Sequence, residues 1–136
     1  MTLNDAARTA LTSGRLAHLV TLNADGSPQV SAVWIGVDGA QLVSAHMGER
    51  QKLRNVRRDP RVAVSVETGA VNEIGLAEYL TIRGVGEVVE GDAAALLAQL
   101  AKVYLGPDAK FPPGDDHPLG LILRITPHEI GGVGPW

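Results

Sequence analysis

The sequence predicts a mainly β fold, an antiparallel barrel of about six strands with helices at its periphery. Three observations predict it. Runs rich in Val, Leu and Ile recur at strand length along the whole chain. Two of the links between them, Asp25-Gly26 and Asp38-Gly39, are hairpin turns, too short for the crossovers that parallel strands need. Only three segments carry apolar residues at helical spacing, one before the first strand and two between later strands. A parallel Rossmann-type sheet is disfavoured because the first three strands are joined by turns too short for crossovers.

Taken in order, Asn4 or Asp5 caps a first helix carrying Ala6, Ala7, Ala10 and Leu11, ended by Ser13-Gly14. Residues 16–23 read as a strand with Leu16, His18, Val20 and Leu22 on one side. His18 alternates there with apolar residues and reads as a core histidine. After the Asp25-Gly26 turn, residues 29–37 read as one second strand. It sets Val30, Ala32, Trp34 and Gly36 against Ser31, Val33, Ile35 and Val37. Asp38-Gly39 returns the chain into residues 41–46.

Residues 61–66 form a strand with Val62, Val64 and Val66 on one face, and residues 68–78 read as a loop. Residues 79–89 are a long strand in which Gly84 and Gly86 predict a bulge or bend. Asp92 caps a helix with Leu96, Leu97, Leu100 and Val103 at helical spacing, stopped at Gly106-Pro107. Residues 108–118 form an irregular loop, residues 119–126 the last strand, and residues 128–136 a Gly-rich tail.

At 136 residues, without repeats or linkers, the chain reads as a single domain over residues 1–136. Its aromatic content of 4% leaves the core to Val, Leu, Ile and Ala. A net charge of -3 argues against nucleic acid as the main partner. With no cysteine there is no disulfide framework and no thiolate chemistry. The first residues lack the pattern of a signal peptide, and no apolar run approaches the roughly 18 residues of a membrane span. A soluble, cytoplasmic protein is expected.

Against this acidic background, residues 48–61 hold half of the twelve Lys and Arg residues. They read as a short helix that Pro60 stops, with Leu53 and Val56 on its buried face and Arg54 and Arg58 toward water. Arg50 and Lys52 stand in its first turn, where the helix dipole disfavours cations by about 0.3–1 kcal/mol each. An anion, most simply a phosphate, docked among the first amides, Arg50 and Lys52 reverses that sign. The competing reading is a solvated basic face.

No metal or nucleophile pattern stands out. His46 ends a strand just before the basic turn, and Asp115-Asp116-His117 lies in a Pro/Gly-rich loop more suited to solvent than to a metal. Gly84-Val85-Gly86 sits within a strand and is no dinucleotide fingerprint. Catalysis, if present, then rests on a cofactor. The second strand is a natural floor for a planar ring, with the small polar Ser31, its backbone amides and the neighbouring Trp34. The other reading of Trp34 is a plug for the core or for a subunit interface.

Asp25 to Trp34 (Asp-Gly-x-Pro-Gln-Val-Ser-x-Val-Trp) followed by Arg50 to Arg61 (Arg-x-Lys-x-Arg-Asn-x-Arg-Arg-Asp-Pro-Arg) resembles the pyridoxamine 5'-phosphate oxidase-like superfamily of flavin- and deazaflavin-binding split barrels. With the Tyr-Leu-Gly segment at Tyr104 and the Arg-Ile-Thr-Pro ending at Pro127, it is most similar to the B-type deazaflavin-dependent oxidoreductases. The resemblance covers essentially the whole chain.

It implies a six-stranded antiparallel split β-barrel of the FMN-binding type. Arg50, Gln51 and Lys52 would hold the cofactor phosphate, Ser31, Ala32, Val33 and Trp34 would line the ring, and Ser44 and Ala45 would lie beneath its polar edge. The cofactor implied is the deazaflavin coenzyme F-420, with FMN as the alternative. The activity implied is hydride transfer to an electron-poor conjugated small molecule such as an enone, quinone or tetrapyrrole. Tyr79, His46 and water are the candidate proton donors. A homodimer with sites at its interface is implied, in which Tyr79 and Trp136 would reach the partner. The further signatures of true pyridoxamine phosphate oxidases are not evident. A non-catalytic cofactor or ligand carrier is the reading from another class.

Overall fold

A computed structural model of the chain describes residues 2–114 and 116–136. Its elements are α1 (Asp5–Leu11), β1 (Ala17–Leu22), β2 (Pro28–Val33), β3 (Gly36–Asp38), β4 (Gln41–His46), α2 (Gln51–Arg58), β5 (Arg61–Val71), β6 (Ala77–Gly91), α3 (Ala93–Tyr104) and β7 (Gly120–Val133). The strands form one antiparallel sheet in the order β2-β1-β5-β6-β7-β4-β3.

The two edge strands of this sheet, β2 and β3, are joined only by Trp34 and Ile35. A link that short sets β2 and β3 end to end, so one run of chain joins the two ends of the sheet order and closes it into a barrel whose seam is this changeover. Among the described residues there are seven strands where six are expected, because the predicted second strand is two. Val33 pairs with Ala17 of β1, whereas Gly36 already pairs with Val43 of β4. The chain changes ladder partner within two residues, and its unbroken apolar alternation conceals the change.

Leu19, Leu42, Leu80, Ile82, Leu123 and Ile125 fill the barrel. The face predicted for β1 is reversed: Ala17, Leu19 and Thr21 point inward and His18 is exposed, so it is no core histidine. Both faces of β1 are apolar, and alternation alone cannot choose between them. The segment read as a loop, residues 68–78, is the end of a long β5–β6 hairpin. Asn72 makes its turn, its side-chain oxygen accepting from the Ile74 and Leu76 amides. The predicted Gly-rich tail continues β7, with Val133 opposite Tyr79. Gly84 does mark a bulge: Arg83 faces Glu129 and Gly84 faces Pro127, which leaves His128 over. A Cβ on Gly84 would stand 2.1 Å from the Thr126 carbonyl oxygen.

Asn4 caps α1, its side-chain oxygen accepting from the Ala7 amide at 2.8 Å, while its Nδ2 donates to the Pro135 carbonyl at 2.9 Å. The chain end is thereby held on α1, and Trp136 packs against the core of its own subunit. Asp92 caps α3 through the Ala95 amide. In α2, Leu53 and Val56 are buried as expected, and between them Asn55 is 0% exposed. Its Nδ2 donates to Thr21 Oγ1 at 3.0 Å, Asn23 Oδ1 at 2.9 Å and Gln29 Oε1 at 3.3 Å. Its Oδ1 accepts from Gln51 and Arg58. One amide thus fixes the basic helix on the β1–β2 hairpin.

Asn55→Leu keeps a similar volume but strands these partners without their hydrogen bonds. The expected loss is about 2–4 kcal/mol of unfolding free energy, read from the midpoint of a denaturant titration at unchanged slope.

Candidate functional site

A cavity of about 250 Å³ opens at the seam. The end of β2 gives Ala32 and Val33, and Trp34 follows in the link to β3. The end of β4 gives Ala45 and His46, and the first turn of α2 gives Lys52. Leu97 of α3 and Phe111, from the loop after α3, complete the wall. Three consecutive residues border the cavity because it meets β2 at the sheet's open edge, where neither face of the strand is shut off.

Of the ring and phosphate residues expected, Ala32, Val33, Trp34, Ala45 and Lys52 therefore come together, and Arg50 stands at the N-cap of α2. Ser31 faces into the barrel with Gln29 and Val33, and its buried Oγ has no hydrogen-bond partner among the described residues. Ser44 is buried behind His46. Gln51 is exposed and its amide is engaged within α2, its Nε2 donating to Asn55 at 2.8 Å and its Oε1 accepting from Arg54 at 3.0 Å. Tyr79 lines a separate hollow on the outside of the β5–β6 hairpin, beside Glu67 and Thr81. His117 Nε2 lies 3.1 Å from the Gly114 carbonyl, and Asp115 of that acidic loop lies outside the described residues.

The electrostatics are one-sided. Among the described residues the ion pairs are Arg57–Glu49, Arg61–Asp59, Arg83–Glu129 and Arg124–Asp38. None uses Arg50 or Lys52. No side chain among the described residues caps the amides of α2. Arg50 donates to the Glu49 carbonyl, a neutral group. Burial, and after it the neighbouring Arg50 charge, lowers the Lys52 ammonium pKa from its ordinary value. Of the other cations of the helix, Arg58 donates to the Leu22 carbonyl and to Asn55, while Arg54 faces water.

His46 sits in the same field. Burial first, then Lys52 and Arg50, push its pKa down to about 4. At pH 7 it is a neutral imidazole, its Nε2 2.9 Å from Ser44 Oγ. In that state it offers a hydrogen bond rather than an imidazolium proton.

Leu97, Phe111 and the buried Asn55 were not singled out as site residues by sequence reasoning. Phe111 stands in a Pro/Gly-rich loop without periodicity, and Leu97 reads as ordinary helix core. Asn55 carried a weak signal, as a polar residue between the two apolar positions of α2.

The family model described as pyridoxamine 5'-phosphate oxidase matches residues 3–134. The chain belongs to this family. Among solved structures, an F420 reductase is 32% identical with a TM-score of 0.74, over 95% of this chain and 98% of that one. A conserved hypothetical protein of Mycobacterium tuberculosis is 24% identical with a TM-score of 0.72, over 97% of this chain and 85% of that one. A putative pyridoxamine 5'-phosphate oxidase of Listeria innocua is 21% identical with a TM-score of 0.70, over 95% and 96% of the two chains. The last two share the fold. No curated protein matches the sequence significantly. No described helix is long and apolar enough to cross a membrane.

The His46 shift has a sign. The unfolded chain takes up a proton near pH 6.5 and the folded chain only near 4. The stabilisation from neutral His46 is complete above 6.5 and is lost as pH falls toward 4. The difference in unfolding free energy between the wild type and His46→Gln should change by roughly 2–3 kcal/mol over that interval, measured by denaturant titration at each pH.

Proposed function

We propose that this chain is an oxidoreductase using the deazaflavin coenzyme F-420 to transfer a hydride to an electron-poor conjugated small molecule. The observation that carries the reading is the uncompensated pair Arg50 and Lys52 at an uncapped helix N-terminus, beside a cavity walled by β2 and Trp34. The donor set fits a phosphate: two cations and free backbone amides converge there. The likeness to an F420 reductase at 32% identity favours the deazaflavin. The family match itself keeps FMN as the second reading.

In this reading Lys52 and Arg50 bind the phosphate, and Ala32, Val33 and Ala45 shape one side of the ring's slot. Trp34, Leu97 and Phe111 exclude water from the other side. When bound and reduced, the cofactor supplies the hydride. Neutral His46, paired with Ser44, offers the polar edge of the ring a hydrogen bond, and the proton that follows the hydride comes from solvent. Arg54, exposed beside the phosphate end, is placed to meet an anionic tail.

The protein would act as a homodimer with sites at its interface. Leu16 at 52% exposure, Val30 at 62% and Tyr79 at 41% lie on the outer face of the sheet, an apolar surface of the kind that a second copy covers. Tyr79 would meet the partner through that face, whereas Trp136 is held on its own core.

Parallel titrations with the deazaflavin and with FMN test the reading. Micromolar binding of the deazaflavin and weaker binding of FMN is expected; the reverse order moves the protein to FMN, and binding of neither overturns both. Lys52→Ala should weaken cofactor binding by about 1.5–3 kcal/mol, roughly 10- to 150-fold. Unchanged affinity would remove Lys52 from the phosphate site. Because Lys52 and Arg50 help to depress the His46 pKa, a phosphate between them should raise it, a change visible in the histidine resonances.

A further inference from the structure

Trp34, Tyr104 and Phe111 are three of the five Phe, Trp and Tyr residues in the chain, and they meet at the seam. Tyr104, in the last turn of α3, stacks on Trp34 with ring centroids 5.4 Å apart and planes 12° from parallel. Phe111 meets Trp34 edge-on at 5.3 Å and 62°. The indole is thereby held by rings of two different segments, and Trp34 and Phe111 both face the cavity.

The Tyr104 hydroxyl does something separate. It accepts from the Ile35 amide at 3.0 Å and donates to the Arg15 carbonyl at 3.0 Å. Ile35 lies in the link between the two edge strands, and Arg15 lies just before β1, where the ladder with β2 begins at Ala17 and Val33. Neither residue belongs to a strand, so one phenol joins α3 to two non-strand backbone groups at the seam. Burial raises the phenol pKa above its ordinary value, against the hydrogen bond from Ile35. The hydroxyl therefore keeps the proton that it donates.

We propose that Tyr104 is a positioning residue: its hydroxyl fixes the seam, its ring fixes the Trp34 indole, and together they set the aromatic wall against which a flat conjugated ring stacks in the cavity. This rests on the proposed function for its ligand class, a planar cofactor ring or a planar acceptor, and assigns the ring's affinity to residues apart from the phosphate end. The aromatic wall serves affinity because a stacked ring meets an indole that is already immobilised and loses little further freedom on binding.

The test uses ligands without phosphate, so that Lys52 and Arg50 play no part: a flat quinone (menadione) and riboflavin. In a Trp136→Phe background Trp34 is the sole tryptophan, and quenching of its fluorescence reports binding without turnover. Tyr104→Phe keeps the ring and loses the hydroxyl; Tyr104→Leu loses both. The expected order is a 2- to 5-fold weaker ring affinity for Tyr104→Phe and at least 10-fold for Tyr104→Leu, each with a shift in Trp34 emission.

Val62→Ala, a core truncation outside the cavity, controls for lost stability and should leave ring affinity within 2-fold. Equal affinity in the folded Tyr104 variants overturns the proposal, as does a matching loss in Val62→Ala or failure of both rings to bind the background protein. Binding of either ring with the expected order supports it, and which ring binds identifies the source. Failure of the phosphate assignment appears separately, as FMN and deazaflavin affinities that ignore Lys52→Ala while the Tyr104 series still holds.

Discussion

The constraint on which this structure depends is the length of one connection. Seven strands lie in an order whose two edges are β2 and β3, and only Trp34 and Ile35 separate them in sequence. Three Cα–Cα steps separate Val33 from Gly36, at most about 11 Å, so the sheet has to curl until one run of chain can serve both ends of its order. β2 and β3 share no ladder: the chain leaves its pairing with β1 at Val33 and takes up its pairing with β4 at Gly36. At that changeover Trp34 and Ile35 belong to neither ladder, and side chains from several elements come within reach. The cavity lies there for that reason: β2 and β4 end at it, and α2 and α3 cross it.

The second organising feature is an electrostatic imbalance placed at that cleft. The buried amide of Asn55 anchors α2 against the β1–β2 hairpin, which fixes where the N-terminus of the helix points. Arg50 and Lys52 then occupy the end of a helix that already carries partial positive charge. Burial first, and then the field of Lys52 and Arg50, keeps the His46 imidazole neutral well below its ordinary range. Within the folded chain such an arrangement is unfavourable; an anionic ligand makes it favourable. Like six other Lys and Arg residues, Arg50 and Lys52 make no ion pair among the described residues; what sets them apart is the helix N-terminus, where the proposed phosphate would supply the opposite charge.

Much of this was legible in the residues, and what was not has identifiable causes. The Asp-Gly turns disclosed the antiparallel hairpins because turn chemistry is local. The basic helix, its buried Leu53 and Val56 and its cationic front end were readable for the same reason. The split of the second strand was hidden, since changing ladder partner leaves side-chain alternation intact. The inward face of β1 was misjudged because both of its faces are apolar and only the hydrogen bond from Asn55 to Thr21 reveals which is inside. The β5–β6 hairpin escaped notice because Asn72, rather than an Asp-Gly pair, makes its turn. Of the residues around the cavity, Trp34 and Lys52 were expected there from their chemistry, whereas Tyr104 and Phe111 come to Trp34 and Ile35 only through contacts across 69 or more residues of chain.

The most direct test of the central claim is a crystal structure of the protein grown with the deazaflavin coenzyme. The account predicts the phosphate at the N-terminus of α2, within hydrogen-bond reach of Lys52 and Arg50, with the ring along Ala32 to Trp34. A ligand bound on the outer face of the sheet, or with its phosphate held by other cations, would contradict it.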